Sequence, residues 1–152
     1  MFVTDIGVRD LQHLFELRVE LESLAARLAA RRGRAEHWQK MAATLAALPP
    51  DEEPVDNETL IAIDHACHKI IYEATENEFL QDTLNTMYTL SLRLWYFGLT
   101  QMGSMRHAVL EHRNILAALA SRDADLAAEL TQFHIRAFQE EIQAMILGKT
   151  DL

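Results

Sequence analysis

The stretch IAIDHACHKIIYEA, residues 61–74, holds a carboxylate, two imidazoles and the single thiol of the chain between positions 64 and 68. These side chains ligate first-row divalent metals. Residues four apart on a helix lie one above the other. Asp64 and His68 therefore share a face, extended by Ile61, Ile71 and Tyr72. His65 is turned about 100° from Asp64 and points elsewhere. Cys67, three positions after Asp64, lies near the same face and can compete as a ligand.

Two more histidines sit in apolar stripes. His112 has Val109, Ile115, Leu116 and Leu119 around it at helical spacing, and His134 has Leu130 and Phe138 one turn away on either side. One aspartate and three histidines are thus expected to face inward from three helices. Burying a polar group without a partner costs about 1–3 kcal/mol, and an unpaired carboxylate costs more. A divalent ion at the centre of the bundle would satisfy all four. So would an Asp–His hydrogen-bonded network with water, and spacing alone does not choose between them.

Six helices are needed to position these residues, and the sequence supplies them. Leu11, Leu14, Leu17, Leu21, Leu24 and Leu28 recur at spacings of three and four, which predicts an amphipathic helix over about residues 5–32. Gly33 stops it, and the ARLAARRGR cluster is read as its cationic C-terminus. The second helix, about residues 34–47, ends at LPPDEEP. The third starts at Asp56 or Asn57 and runs to about 75. Asn77 caps the fourth, the glycines of GLTQMGSM break it, and the fifth covers about 104–120. Ser121 or Asp123 caps the sixth, which Gly148 ends. The expected fold is all-α, a single antiparallel bundle of about six helices.

With 152 residues, 49% hydrophobic and 24% charged, the chain has the composition of one soluble globular domain. A formal charge of −9 argues against gripping a nucleic-acid backbone directly. No apolar run reaches the length of a membrane span, and MFVTDIGVRD lacks the features of a signal peptide. A lone Cys67 excludes an internal disulfide and fits a reducing cytoplasm.

The segments carry a family resemblance. IDHACHKIIYEATENEFL resembles the D-x-x-x-H segment, followed by an Asn-x-x-Leu helix start, of the FCD ligand-binding domain of FadR-subfamily GntR transcription regulators. EHRNILAALASRDADLAAELTQFH resembles the later signature of that domain, Glu-His through to the final His, with 22 positions from His112 to His134. LFELRVELESLAARLAARR is similar to its first helix. The resemblance covers nearly all of residues 1–152, and the length and helix number are similar to the VanR-like subgroup. Cys67 departs from the pattern, which usually has an aromatic residue there, and is read as packing rather than as a ligand.

The resemblance implies that Asp64, His68, His112 and His134 bind one divalent metal. Zinc is the first choice, and nickel, manganese, cobalt or iron also suit such a set. It implies a small carboxylate effector at the metal, a homodimer, and DNA binding only through a winged helix-turn-helix domain. No basic recognition helix precedes the first helix, so that reader is expected outside this chain. Arg18, in the apolar stripe of the first helix, and Arg93, in LSLRLWYF, are the candidate cations for the effector, because a guanidinium matches a carboxylate bidentately. Arg18 can alternatively pair with Glu22 one turn on, and Arg93 can simply face solvent. His65 and His107 are read as surface residues. A metalloenzyme is the rival reading, but no second inward carboxylate is expected beside the four ligands to act as a base. A closed structural metal site is the third.

Overall fold

A computed structural model describes residues 8–51, 53–99 and 105–146. Six α-helices follow one another: α1 Val8–Arg32, α2 Ala35–Ala46, α3 Asn57–Ala74, α4 Glu78–Leu99, α5 Arg106–Ala120 and α6 Ala124–Ile146. There is no strand among the described residues. None of these helices is long and apolar enough to cross a membrane. The helix α1 packs most extensively on α6 and also touches α3, α4 and α5, while α2 lies against α3 and α5.

The helix ends follow from local chemistry. Asp56 caps α3, its carboxylate accepting the Thr59 amide at 2.8 Å. Asn77 Oδ1 accepts the Leu80 amide at 3.0 Å and starts α4. Of the two candidates for α6, Asp123 is the cap, accepting the Leu126 amide at 3.1 Å. At the end of α1 a side chain on Gly33 is excluded: a Cβ there would lie 2.2 Å from the Trp38 indole and 2.6 Å from the Ala29 carbonyl. Gly148 and the GLTQMGSM glycine at 103 lie outside the described residues.

The basic cluster closes α1 and ties it to its neighbours. Arg32 donates to the Thr75 carbonyl at the end of α3 at 2.8 Å, and Arg34 pairs with Glu76 at 2.9 Å. Arg27 reaches Asp125 at the start of α6. From the α5–α6 turn, Arg122 returns the favour: its guanidinium donates to the carbonyls of Arg31 at 2.8 Å and Gly33 at 3.3 Å.

The leucine stripe of α1 needs correcting. Leu17 and Leu24 are 53% and 43% exposed, and Leu14, Leu21 and Leu28 are only partly buried. The face that enters the core instead carries Leu11, Phe15, Arg18, Val19, Glu22, Ala25, Ala26, Ala29 and Ala30. Small alanines let α6 approach closely, so this face wins the interior despite its weaker apolar signal. Two charged residues go in with it.

Removing the Arg122 cap by Arg122→Ala is expected to cost about 1–2 kcal/mol. Thermal unfolding should register a Tm lower by about 2–8 °C. An unchanged Tm would mean that the exposed guanidinium adds nothing to the end of α1.

Candidate metal centre

The periodicity of α3 places Asp64 and His68 on its buried face, as their spacing requires. His112 enters from α5 and His134 from α6, both buried. These four side chains come together: one donor atom from each lies within 4.8 Å of all the others.

Asp64 Oδ1 is the common point. The Nε2 atoms of His68, His112 and His134 lie 3.5, 3.6 and 3.7 Å from it. His112 Nε2 is 3.4 Å from His68 Nε2. Metal–ligand bonds of about 2.0–2.1 Å place neighbouring donors about 2.9–3.4 Å apart, across octahedral to tetrahedral geometries. The donors are spaced for an ion between them, rather than for direct hydrogen bonds to each other.

The outer nitrogens explain why Nε2 faces inward. His134 Nδ1 meets Glu111 Oε1 at 2.6 Å, and His112 Nδ1 donates to the Val109 carbonyl at 3.1 Å. A proton held at Nδ1 leaves a lone pair on Nε2, the form a metal needs. Asp64 Oδ2 accepts the Tyr88 hydroxyl at 2.7 Å, leaving Oδ1 for the centre. Buried lone pairs that converge without a cation are costly, so the residues present fit a divalent ion.

The electrostatics carry the same tension. Burial pushes the Asp64 carboxyl up, but the surrounding imidazoles, His68 foremost, hold it well below the usual carboxylate range. Burial lowers His68, yet Asp64 and Glu22 raise it to about 9. His112 is pushed down to about 3, by burial first and by its neighbour His134 second. His134 ends raised, burial being outweighed by the carboxylates of Asp64 and Glu111.

Arg18 reaches the centre from α1. It is buried, with its guanidinium carbon 5.7 Å from the Phe15 ring centre and 5.3 Å from that of Tyr88. It also makes the expected pair with Glu22, Nε to Oε2 at 2.9 Å. Phe15, Arg18, Asp64, His68, His134, Ile135 and Phe138 line a small cavity of ≈ 10 Å³. That is room for about one water. Arg93 is not brought there: it stands exposed on α4, outside this lining. Cys67 is buried outside the four-residue group, and burial pushes its thiol up to about 12. His65 is half-buried and stacks on Tyr88 with ring centres 4.3 Å apart, while His107 is exposed.

Two acidic residues near the centre were not anticipated. Glu22 is fully buried beside His68, and Glu111 holds His134. In the sequence Glu22 stands only as an i,i+4 partner of Arg18, and the Glu of EHRNILAALA only as part of a signature. Nothing in the spacing connects Glu22 with a histidine 46 positions on. Both carboxylates address Nδ1 atoms on the outside of the imidazoles. Neither is aimed at the point where the four donors meet.

Without metal, the centre makes stability depend on pH in both directions. The native His112 refuses a proton that the unfolded chain accepts below about 6.5, so its contribution is lost as pH falls from there toward 3. His68 retains its proton in the native state, so its contribution is complete below about 6.5 and is lost as pH rises through 9. Chelator-treated protein should therefore unfold at its highest temperature near neutral pH, and at lower temperature on either side. A Tm that is level from about pH 5 to pH 9 would contradict this coupling. His112→Ala or His134→Ala should leave almost no zinc after desalting, against about one ion per chain before. Full zinc in either variant would remove that residue from the set.

The comparisons with known proteins agree with this architecture. A family model described as FCD domain matches residues 13–137. The fold is similar to the structure of McbR/YncC from E. coli, with a TM-score of 0.83 at 19% identity, covering 92% of this chain and 67% of that one. It is also similar to a transcriptional regulator, a GntR family member, from Pseudomonas syringae pv. tomato str. DC3000. There the TM-score is 0.81 at 20% identity, covering 98% of this chain and 62% of that one. This chain thus spans about two thirds of the length of those structures. No curated protein matches it in sequence.

Proposed function

The chain belongs to the FCD domain family, and from this premise we propose that it senses a small organic acid for a GntR/FadR-type transcription regulator. The sensing is metal-dependent, of the VanR-like type, and a winged helix-turn-helix domain outside residues 1–152 reads the DNA. The regulator works as a homodimer in the cytoplasm, and the domain is not an enzyme. The observation that carries this reading is the meeting of three imidazoles and one carboxylate beside a buried arginine, at a cavity.

Asp64, His68, His112 and His134 would hold one divalent ion, zinc first among those suited to the set. The bound ion would supply a Lewis-acidic anchor for one oxygen of an anion. Arg18 binds the other end of that anion, its fork offering two parallel donors to a carboxylate. Phe15 and Phe138 exclude water around it. Glu22 and Glu111 orient imidazoles, and neither is placed as a general base for substrate chemistry.

The size of the cavity supplies the link to regulation. Its lining comes from α1, α3 and α6, and its ≈ 10 Å³ holds no organic acid. An effector must therefore part these helices, and it binds only to the extent that it favours the parted arrangement. That shift would be passed to the dimer and to the DNA reader. The same small volume favours one second reading, in which the four ligands close a structural site.

A thermal-shift screen of acetate, malonate, citrate and similar acids separates the two. In the metal-loaded protein an acid at about 100 times its Kd should add about 2.7 kcal/mol, or about 5–10 °C in Tm. Chelation should abolish the shift, and Arg18→Lys, which keeps the charge but loses the fork, should shrink it. If no acid moves the Tm of the loaded protein, the closed structural site is correct.

A further inference from the structure

Each ligand imidazole has an acceptor facing its outer nitrogen, and each acceptor comes from a different source. For His112 it is the Val109 carbonyl and for His134 the Glu111 carboxylate. For His68 no hydrogen-bond partner is in place: Nδ1 is buried and unsatisfied. The acceptor that faces it is Glu22 Oε1, at 3.6 Å.

Glu22 is built to hold that position. Its Oε2 accepts two hydrogen bonds, from Arg18 Nε at 2.9 Å and from the Tyr72 hydroxyl at 2.7 Å. Both donors are buried, and Tyr72 lies on α3 one turn beyond His68. With Oε2 fixed, Oε1 is left directed at the imidazole. A buried N–H is stabilised by an acceptor, and more so by a charged one. A carboxylate on the outer nitrogen also makes the inner nitrogen a better metal donor.

We propose that Glu22 is a positioning residue of the metal centre: its carboxylate, held by Arg18 and Tyr72, orients His68 through Nδ1 and binds α1 into a site to which α1 gives no ligand. This rests on the metal reading above. It makes the cation assigned to the effector and the histidine assigned to the metal partners of one carboxylate. An anion that draws on Arg18 acts on the hold of His68 through two side chains.

The test is a Co²⁺ titration of the metal-stripped chain against a chelator of known affinity, with the visible absorption bands recorded. Glu22→Gln should bind Co²⁺ about 10–100-fold more weakly, with altered bands. Leu45→Ala, a core change in α2, should lower the Tm yet leave Co²⁺ affinity and bands as in the wild type. If Glu22→Gln does not fold, Tyr72→Phe carries the test, with an expected loss of about 2–10-fold. Wild-type affinity and bands in the variant tested overturn the inference and leave the metal reading standing. A wild-type chain that takes up no Co²⁺ overturns both.

Discussion

Four donor atoms from three helices meet at one buried point, where their lone pairs would repel one another unless a proton or a cation lies between them. Three imidazole nitrogens point at one oxygen of Asp64 from 3.5–3.7 Å, in a place that water barely enters. A divalent ion at that point would turn a liability into a cross-link. It would join α3, α5 and α6, elements whose four side chains are otherwise far apart in sequence. Carbonyl, carboxylate and phenol groups outside the imidazoles and Asp64 then fix which atoms face in.

Much of this was legible in the chain. The i,i+4 relation of Asp64 and His68, and the apolar neighbours of His112 and His134, are local properties of helices, and the four residues do meet. The caps at Asp56, Asn77 and Asp123 are equally local. The interior face of α1 was not legible in the same way. Its leucines at 14, 17, 21, 24 and 28 outweigh the alanines at 25, 26, 29 and 30 on any hydropathy reading. Yet close helix approach rewards the smaller side chains, and Leu17 and Leu24 are left largely outside.

Charges inside the core were the other obscure feature. Arg18 stands out in the sequence because it lies in an apolar stripe, but Glu22 reads as its surface-type partner until α3 is packed against it. The pair is buried, with Tyr72 closing it. Burial raises the Glu22 carboxyl, and Arg18 and His68 bring it down to about 2, so it stays charged. A buried ion pair adds little net stability over an apolar one of equal shape. Its retention beside a ligand imidazole makes sense if orientation, rather than stability, is what it contributes. Arg93 had the same residue type without such a setting, and it stands at the surface.

The proposed link from centre to regulation rests on the near-absence of room. On the reading proposed here, an acid arriving in a cavity with room for about one water between α1, α3 and α6 would have to change the helix packing. The claim beneath all of this is that three imidazoles and one carboxylate bind one ion. X-ray absorption at the zinc edge of the loaded protein measures that directly. The account predicts three imidazole nitrogens, with their outer-ring scattering, and oxygen completing the set at about 2.0–2.2 Å. A sulfur neighbour at about 2.3 Å, which would be Cys67, or fewer than three imidazoles, would contradict it.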